Sequence, residues 1–145
     1  MNDYLGIHYI LDFYNCNSEY LTSVSKINIL MRKASKIGKF NVVKSCFHQF
    51  NPYGVSGVMV LKESHFTIHT WPEYQYAAID IFLCDTNVNI EEVIKYLSDV
   101  FETNIYRITK LERGKEINNH SKFIEITTKA ENSKKNIMSV SLMKK

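Results

Sequence analysis

The chain has 145 residues, 45% apolar and 23% charged, with a formal net charge of +3, a balance that fits one soluble domain with its own core. Seven lysines against three glutamates over residues 114–145 carry +4, leaving the first 113 residues at −1, so no basic face points to nucleic acid. No apolar run approaches the roughly 20 residues that span a bilayer and no charged-then-apolar start marks a secretory signal, so a cytoplasmic protein without membrane or nucleic-acid partners is expected.

Residues 4–14 are β-branched and aromatic and predict a strand. After an Asn15–Cys16–Asn17 turn, Leu21, Val24, Ile27, Met31, Ala34 and Ile37 recur every three or four positions, which predicts a helix over 18–37 stopped by Gly38. Residues 40–50 predict a second strand, ended by Asn51–Pro52–Tyr53–Gly54. Further strands are expected at 55–61, 65–71 and 76–84, broken by Lys62–Glu63–Ser64 and by Pro72–Glu73. Asn89 with Glu92 resembles a capping box ahead of a helix over 90–101, whose apolar face is Ile90, Val93, Ile94, Leu97 and Phe101. A last core strand is expected at 105–111.

The order β-α-β-β-β-β-α-β predicts an α/β (α+β) two-layer sandwich: a mainly antiparallel sheet with two helices on one face. The other face then needs a partner, and a second copy would supply one. Residues 1–113 are read as one domain and 114–145 as a basic tail, in which 122–130 is strand-like. Cys16, Cys46 and Cys84 are too few and too widely spaced for a disulfide framework or a zinc pattern. Cys16 and Cys46 are read as inert small hydrophobes, His8 and His48 as structural, and His120 as solvated.

Residues 54–84, GVSGVMVLKESHFTIHTWPEYQYAAIDIFLC, carry two histidines, two serines, acids and a cysteine on or beside neighbouring strands. His65 and His69 share a strand face but stand about 13 Å apart, too far for one metal ion with ligand bonds of about 2 Å. A Cys84–His69 thiolate pair is conceivable, but Cys84 ends a strand rather than sitting on an elbow or a helix start. Internal serine chemistry is the third reading. Ser64 in a constrained turn can attack the carbonyl of Glu63, converting the amide to an ester. β-Elimination and hydrolysis then leave a pyruvoyl group on a new chain, whose ketone forms a Schiff base with an amine and acts as an electron sink.

The stretches GIHYILDFYNC, FHQFNPYG, GVSGV, ESH, IHTWPE and YAAIDIF with the closing Cys84 resemble the short-chain prokaryotic S-adenosylmethionine decarboxylase family. The resemblance implies self-cleavage between Glu63 and Ser64 into chains 1–63 and 64–145. It implies that Ser64 becomes the pyruvoyl group, with no metal and no pyridoxal phosphate. His69 is then the acid–base residue of processing, Ser56 assists it, and Cys84 is the proton donor after CO2 leaves. Phe50 would stack on adenine while Trp71 and Glu73 hold the nucleoside, although Phe50 and Trp71 also suit a core. The family suggests a homodimer with its sites between protomers, making decarboxylated S-adenosylmethionine, the aminopropyl donor for spermidine. An ornithine or arginine decarboxylase of the same fold, or a non-processing regulatory homologue, are the competing readings. Two neighbours of Cys84 depart from the family's Thr and Gly: Leu83 falls on the apolar parity of its strand, and Asp85 would raise the thiol pKa, meet the sulfonium or face solvent.

Overall fold

Period-two alternation builds the sheet, and its parity decides which side is core. A computed structural model describes residues 4–115, 124–129 and 137–142. Strands β1 (Gly6–Tyr14), β2 (Val42–Gln49), β3 (Val55–Leu61), β4 (Ser64–Trp71), β5 (Tyr76–Leu83) and β6 (Ile105–Arg113) form one sheet in the order β2-β3-β4-β5-β1-β6. Every neighbouring pair is antiparallel. Short turns make β2 to β5 a meander, while helices α1 (Val24–Gly38) and α2 (Ile90–Phe101) carry the two longer connections. The expected element order and layer arrangement are those observed.

One sheet face is closed by the helices. Leu11, Phe13, Met59, Phe66, Ile68, Ala77, Ile79 and Ile81 are buried there with Ile27, Met31 and Ala34 of α1 and Val93, Leu97 and Phe101 of α2. A single aromatic core residue such as Phe66 removes enough apolar area to contribute roughly 2–3 kcal/mol. Leu83, at 5% exposure, sits on the same parity as expected.

Three helix ends differ from those expected. Residues 18–37 are not one helix: Ser18–Leu21 form a separate 3-10 turn. Ser23 then caps α1, its hydroxyl accepting from the Lys26 N–H, which restarts the chain in a new direction. The left-handed C-terminal residue of α1 is Lys39 (φ 60°), not Gly38. Gly38 is small because a Cβ there would lie 2.5 Å from the Phe40 ring and 2.8 Å from Val93. Asn89 precedes α2 without a side-chain cap; its amide instead donates to Ile37 O at 3.5 Å. Glu91 and Glu92 in the first turn of α2 still complement the helix dipole.

Among the described residues, no helix lies on the opposite sheet face. Val58 and Val60 of β3, Trp71 of β4 and Ile105 and Leu111 of β6 stand exposed there. No helix among the described residues is long and apolar enough to cross a membrane. The segment 116–145 forms a compact unit of its own. In it β7 (Ile124–Lys129) falls within the strand-like stretch and pairs with β8 (Ile137–Leu142), a strand the sequence reading did not anticipate. His120 lies outside the described residues.

Candidate active site

The β3–β4 connection is as short as a hairpin allows. Leu61 pairs with Ser64, so Lys62 and Glu63 are the whole turn. Glu63 adopts φ 68°, a left-handed conformation that costs a residue with a Cβ on the order of 1 kcal/mol. Ser64 is thus the first strand residue, not part of a longer break. β5 runs antiparallel to β4 with Phe82 opposite His65, which brings the residues after β5 alongside the turn. Cys84 Sγ donates to the Glu63 carbonyl oxygen at 3.0 Å. Burial and then the Glu63 carboxylate push the Cys84 thiol up from its ordinary value, so it is a protonated donor at neutral pH.

A cavity of about 250 Å³ opens here, lined among others by Lys39, Phe40, Lys62, Ser64 and Cys84. Asp85 also lines it, but its carboxylate accepts the Asn87 backbone N–H at 2.8 Å. Of the three roles open to Asp85, the first is not what the structure carries: the charge raising the thiol is that of Glu63.

A second cluster lies on the uncovered sheet face. Ser56 and His69 are cross-strand partners, and Ser56 Oγ is 2.7 Å from His69 Nδ1. The GVSGV stretch serves this geometry. Gly54 has φ 105°, open to glycine alone without strain. Gly57 leaves room for Phe47, whose ring would lie 2.7 Å from an added Cβ. Phe50, Tyr53, Trp71 and Glu73 surround Ser56 and His69 in a cavity of about 300 Å³. Phe50 is 48% and Trp71 38% exposed, so neither is a core aromatic. Gln49 braces the Phe50–Gly54 turn: its amide donates to Thr22, Phe50 and Gly54 carbonyls and accepts from the Val24 N–H.

The two clusters do not meet within one chain. Ser64 and His69 are five positions apart on β4, about 16 Å, and an odd spacing sends their side chains to opposite faces. Ser64 has the core parity of Phe66 and Ile68, whereas His69 shares the uncovered face with His65. Cys84 lies six positions beyond Ala78, the cross-strand partner of His69, about 20 Å away. A Cys84–His69 thiolate pair within one chain is therefore excluded.

A third group escaped the sequence reading. His8 Nε2 contacts Asp80 Oδ1 at 2.9 Å, and its ring meets His65 edge-on at 5.7 Å between centroids. Burial and His8 hold the His65 imidazole below its ordinary pKa. Nothing in the local sequence announces this group, because β1, β4 and β5 bring it together. Among the described residues no three His, Cys, Asp or Glu side chains are placed to hold a metal. Cys16 is fully buried, whereas Cys46 is exposed on edge strand β2.

The geometry sets this chain beside known proteins. Residues 7–114 match the family model described as S-adenosylmethionine decarboxylase. This chain belongs to the S-adenosylmethionine decarboxylase family. The S-adenosylmethionine decarboxylase proenzyme of Thermosipho africanus is 46% identical over 111 residues, covering 77% of this chain and 85% of that one. The proenzyme of Thermotoga maritima is 43% identical over the same shares of each chain. The crystal structure of adenosylmethionine decarboxylase from Aquifex aeolicus superposes with a TM-score of 0.70 at 26% identity, over 91% of this chain and 98% of that one. The Trypanosoma brucei AdoMetDC monomer shares the fold alone, with TM-score 0.55 and 14% identity over 88% of this chain and 60% of that one.

Proposed function

We propose that this chain is the proenzyme of a pyruvoyl-dependent S-adenosylmethionine decarboxylase, cleaved between Glu63 and Ser64. One observation carries the reading: the carbonyl that Ser64 must attack belongs to a left-handed Glu63 and already accepts the Cys84 thiol hydrogen at 3.0 Å. The thiol polarises that carbonyl, and the turn holds the serine hydroxyl next to it in sequence. Attack by Ser64 Oγ on the Glu63 carbon breaks the C–N bond and gives an ester. Removal of the Ser64 α-proton expels the Glu63 carboxylate and leaves dehydroalanine. Water then replaces the nitrogen, which departs as ammonia, and residue 64 becomes the pyruvoyl group.

Residue 64 fits that group, since it opens a strand beside a cavity with a protonated thiol at its wall. A pyruvoyl ketone held at the start of β4, beside Cys84, would supply the electron sink for the bond to the departing carboxylate. Cys84 then supplies the proton to the carbon that has lost CO2. His69, hydrogen-bonded to Ser56, takes the acid–base part in processing. Phe50 and Trp71 provide flat faces for adenine, and Glu73 accepts from ribose hydroxyls. This aromatic cavity favours a nucleoside over ornithine or arginine, which need no ring platform. The product is an aminopropyl donor of the kind spermidine synthesis consumes. Free thiols suit the reducing cytoplasm.

The separation of Ser64 from His69 requires a homodimer in this reading. A two-fold axis at the uncovered sheet face would reverse strand direction between copies and lay the Ser64 end of one over the His69 end of the other. The exposed Val58, Val60 and Trp71 on that face support it. The test is the intact mass of purified protein under denaturing conditions. The expected result is two chains split at Glu63–Ser64 in the wild type, and one uncleaved, inactive chain for Ser64→Ala. An active Ser64→Ala chain would overturn the mechanism.

A further inference from the structure

We propose that cleavage installs its own positioning group: the α-carboxylate released on Glu63 accepts the Cys84 S–H hydrogen and holds that thiol in place as the proton donor. The inference rests on the self-cleavage reading and goes beyond it, because it gives the new chain end a task in the decarboxylation step.

The atoms permit it directly. Cys84 Sγ donates to the Glu63 carbonyl oxygen at 3.0 Å before cleavage. That oxygen is not lost. It becomes one oxygen of the new carboxylate, and the former Ser64 Oγ becomes the other. The acceptor therefore changes from a neutral carbonyl to an anion without needing to move. A hydrogen bond to a carboxylate is roughly twice as strong as one to a neutral carbonyl.

The surroundings act in the same direction. Burial and the Glu63 side chain already disfavour the thiolate, and the α-carboxylate adds a second negative charge at closer range. Asp85 is turned to the Asn87 N–H. Lys39 and Lys62 also line the cavity and are its only cationic wall residues among the described residues. They oppose the effect, and Lys62 precedes Glu63 on the same released chain. The thiol thus polarises the scissile carbonyl in the proenzyme and is kept as an acid by the product of that same carbonyl in the cleaved enzyme.

The experiment is the pH profile of Cys84 alkylation by iodoacetamide, in the cleaved wild type and in Ser64→Ala. Chain 64–145 contains no other cysteine, so its intact mass reports Cys84 alone. In the uncleaved variant, the tryptic peptide that begins at Glu63 does the same. The expected result is a midpoint at least about one pH unit higher in the cleaved chain, hence roughly tenfold slower alkylation near pH 8. A split wild-type chain whose midpoint equals or falls below that of Ser64→Ala overturns this proposal and leaves self-cleavage standing. An unsplit wild-type chain overturns both.

Discussion

If Ser64 and His69 meet only across two copies, two inactive chains should rescue each other. The distance of about 16 Å along β4 is far beyond the roughly 3 Å at which a histidine moves a proton, so a chain cannot process itself with its own His69. Co-expressing Ser64→Ala with His69→Ala at equal levels makes about half of the dimers mixed under random pairing. In a mixed dimer, one site has lost both groups. The other combines the intact Ser64 of the His69→Ala chain with the intact His69 of its partner. About half of the His69→Ala chains should therefore split, and none of the Ser64→Ala chains. Intact mass reads this directly, since the released 64–145 fragment must carry alanine at position 69. Mixed dimers confirmed by affinity tags but lacking that fragment would refute the composite site. Full cleavage of His69→Ala on its own would refute the role of His69.

Three further expectations follow from the packing and the titrating groups. Phe66→Ala removes a fully buried ring that meets Phe40 edge-on and should cost about 3–5 kcal/mol in urea unfolding. Thr70 donates to Leu21 O and accepts from the Val55 N–H, both at 2.8 Å; Thr70→Val should lower stability by about 1–3 kcal/mol, seen as a lower thermal midpoint. His65 is held below its ordinary pKa by burial and His8, so the unfolded chain binds its proton more readily. Its contribution is intact above about pH 6.5 and is lost as pH falls towards the depressed folded value. Thermal midpoints should drop over that acid window in the wild type and drop less in His65→Asn.

Cysteine reactivity gives a last check on the burial pattern. Burial pushes the Cys16 thiol up to about 11, whereas Cys46 is exposed on the sheet edge. Brief iodoacetamide treatment of the native protein at neutral pH should spare Cys16 and label Cys46, the latter more readily as dilution dissociates the proposed dimer that covers its strand face. Equal labelling of both would mean that the chain opens around Cys16.

The strands, the helices and their order were legible in the sequence because each rests on short-range periodicity. The parity of Ala77, Ile79, Ile81 and Leu83 named the buried face of β5 without any knowledge of its neighbours. The residue sets around Ser64 and Ser56 were legible too, through the ESH and GVSGV stretches and the family they resemble. Helix ends were less so: a left-handed Lys39 and an uncapping Asn89 depend on what α1 and α2 pack against. What the tertiary structure decided is which of those residues stand together. Pairing β5 with β4 put Cys84 on the Glu63 carbonyl, and pairing β1 with β5 put His8 on Asp80. The unbroken run of β4 from Ser64 to Trp71 then kept Ser64 and His69 about 16 Å apart, on the opposite faces that their odd spacing dictates. Local patterning fixes the face to which a side chain points, but only the register of paired strands fixes what it meets there.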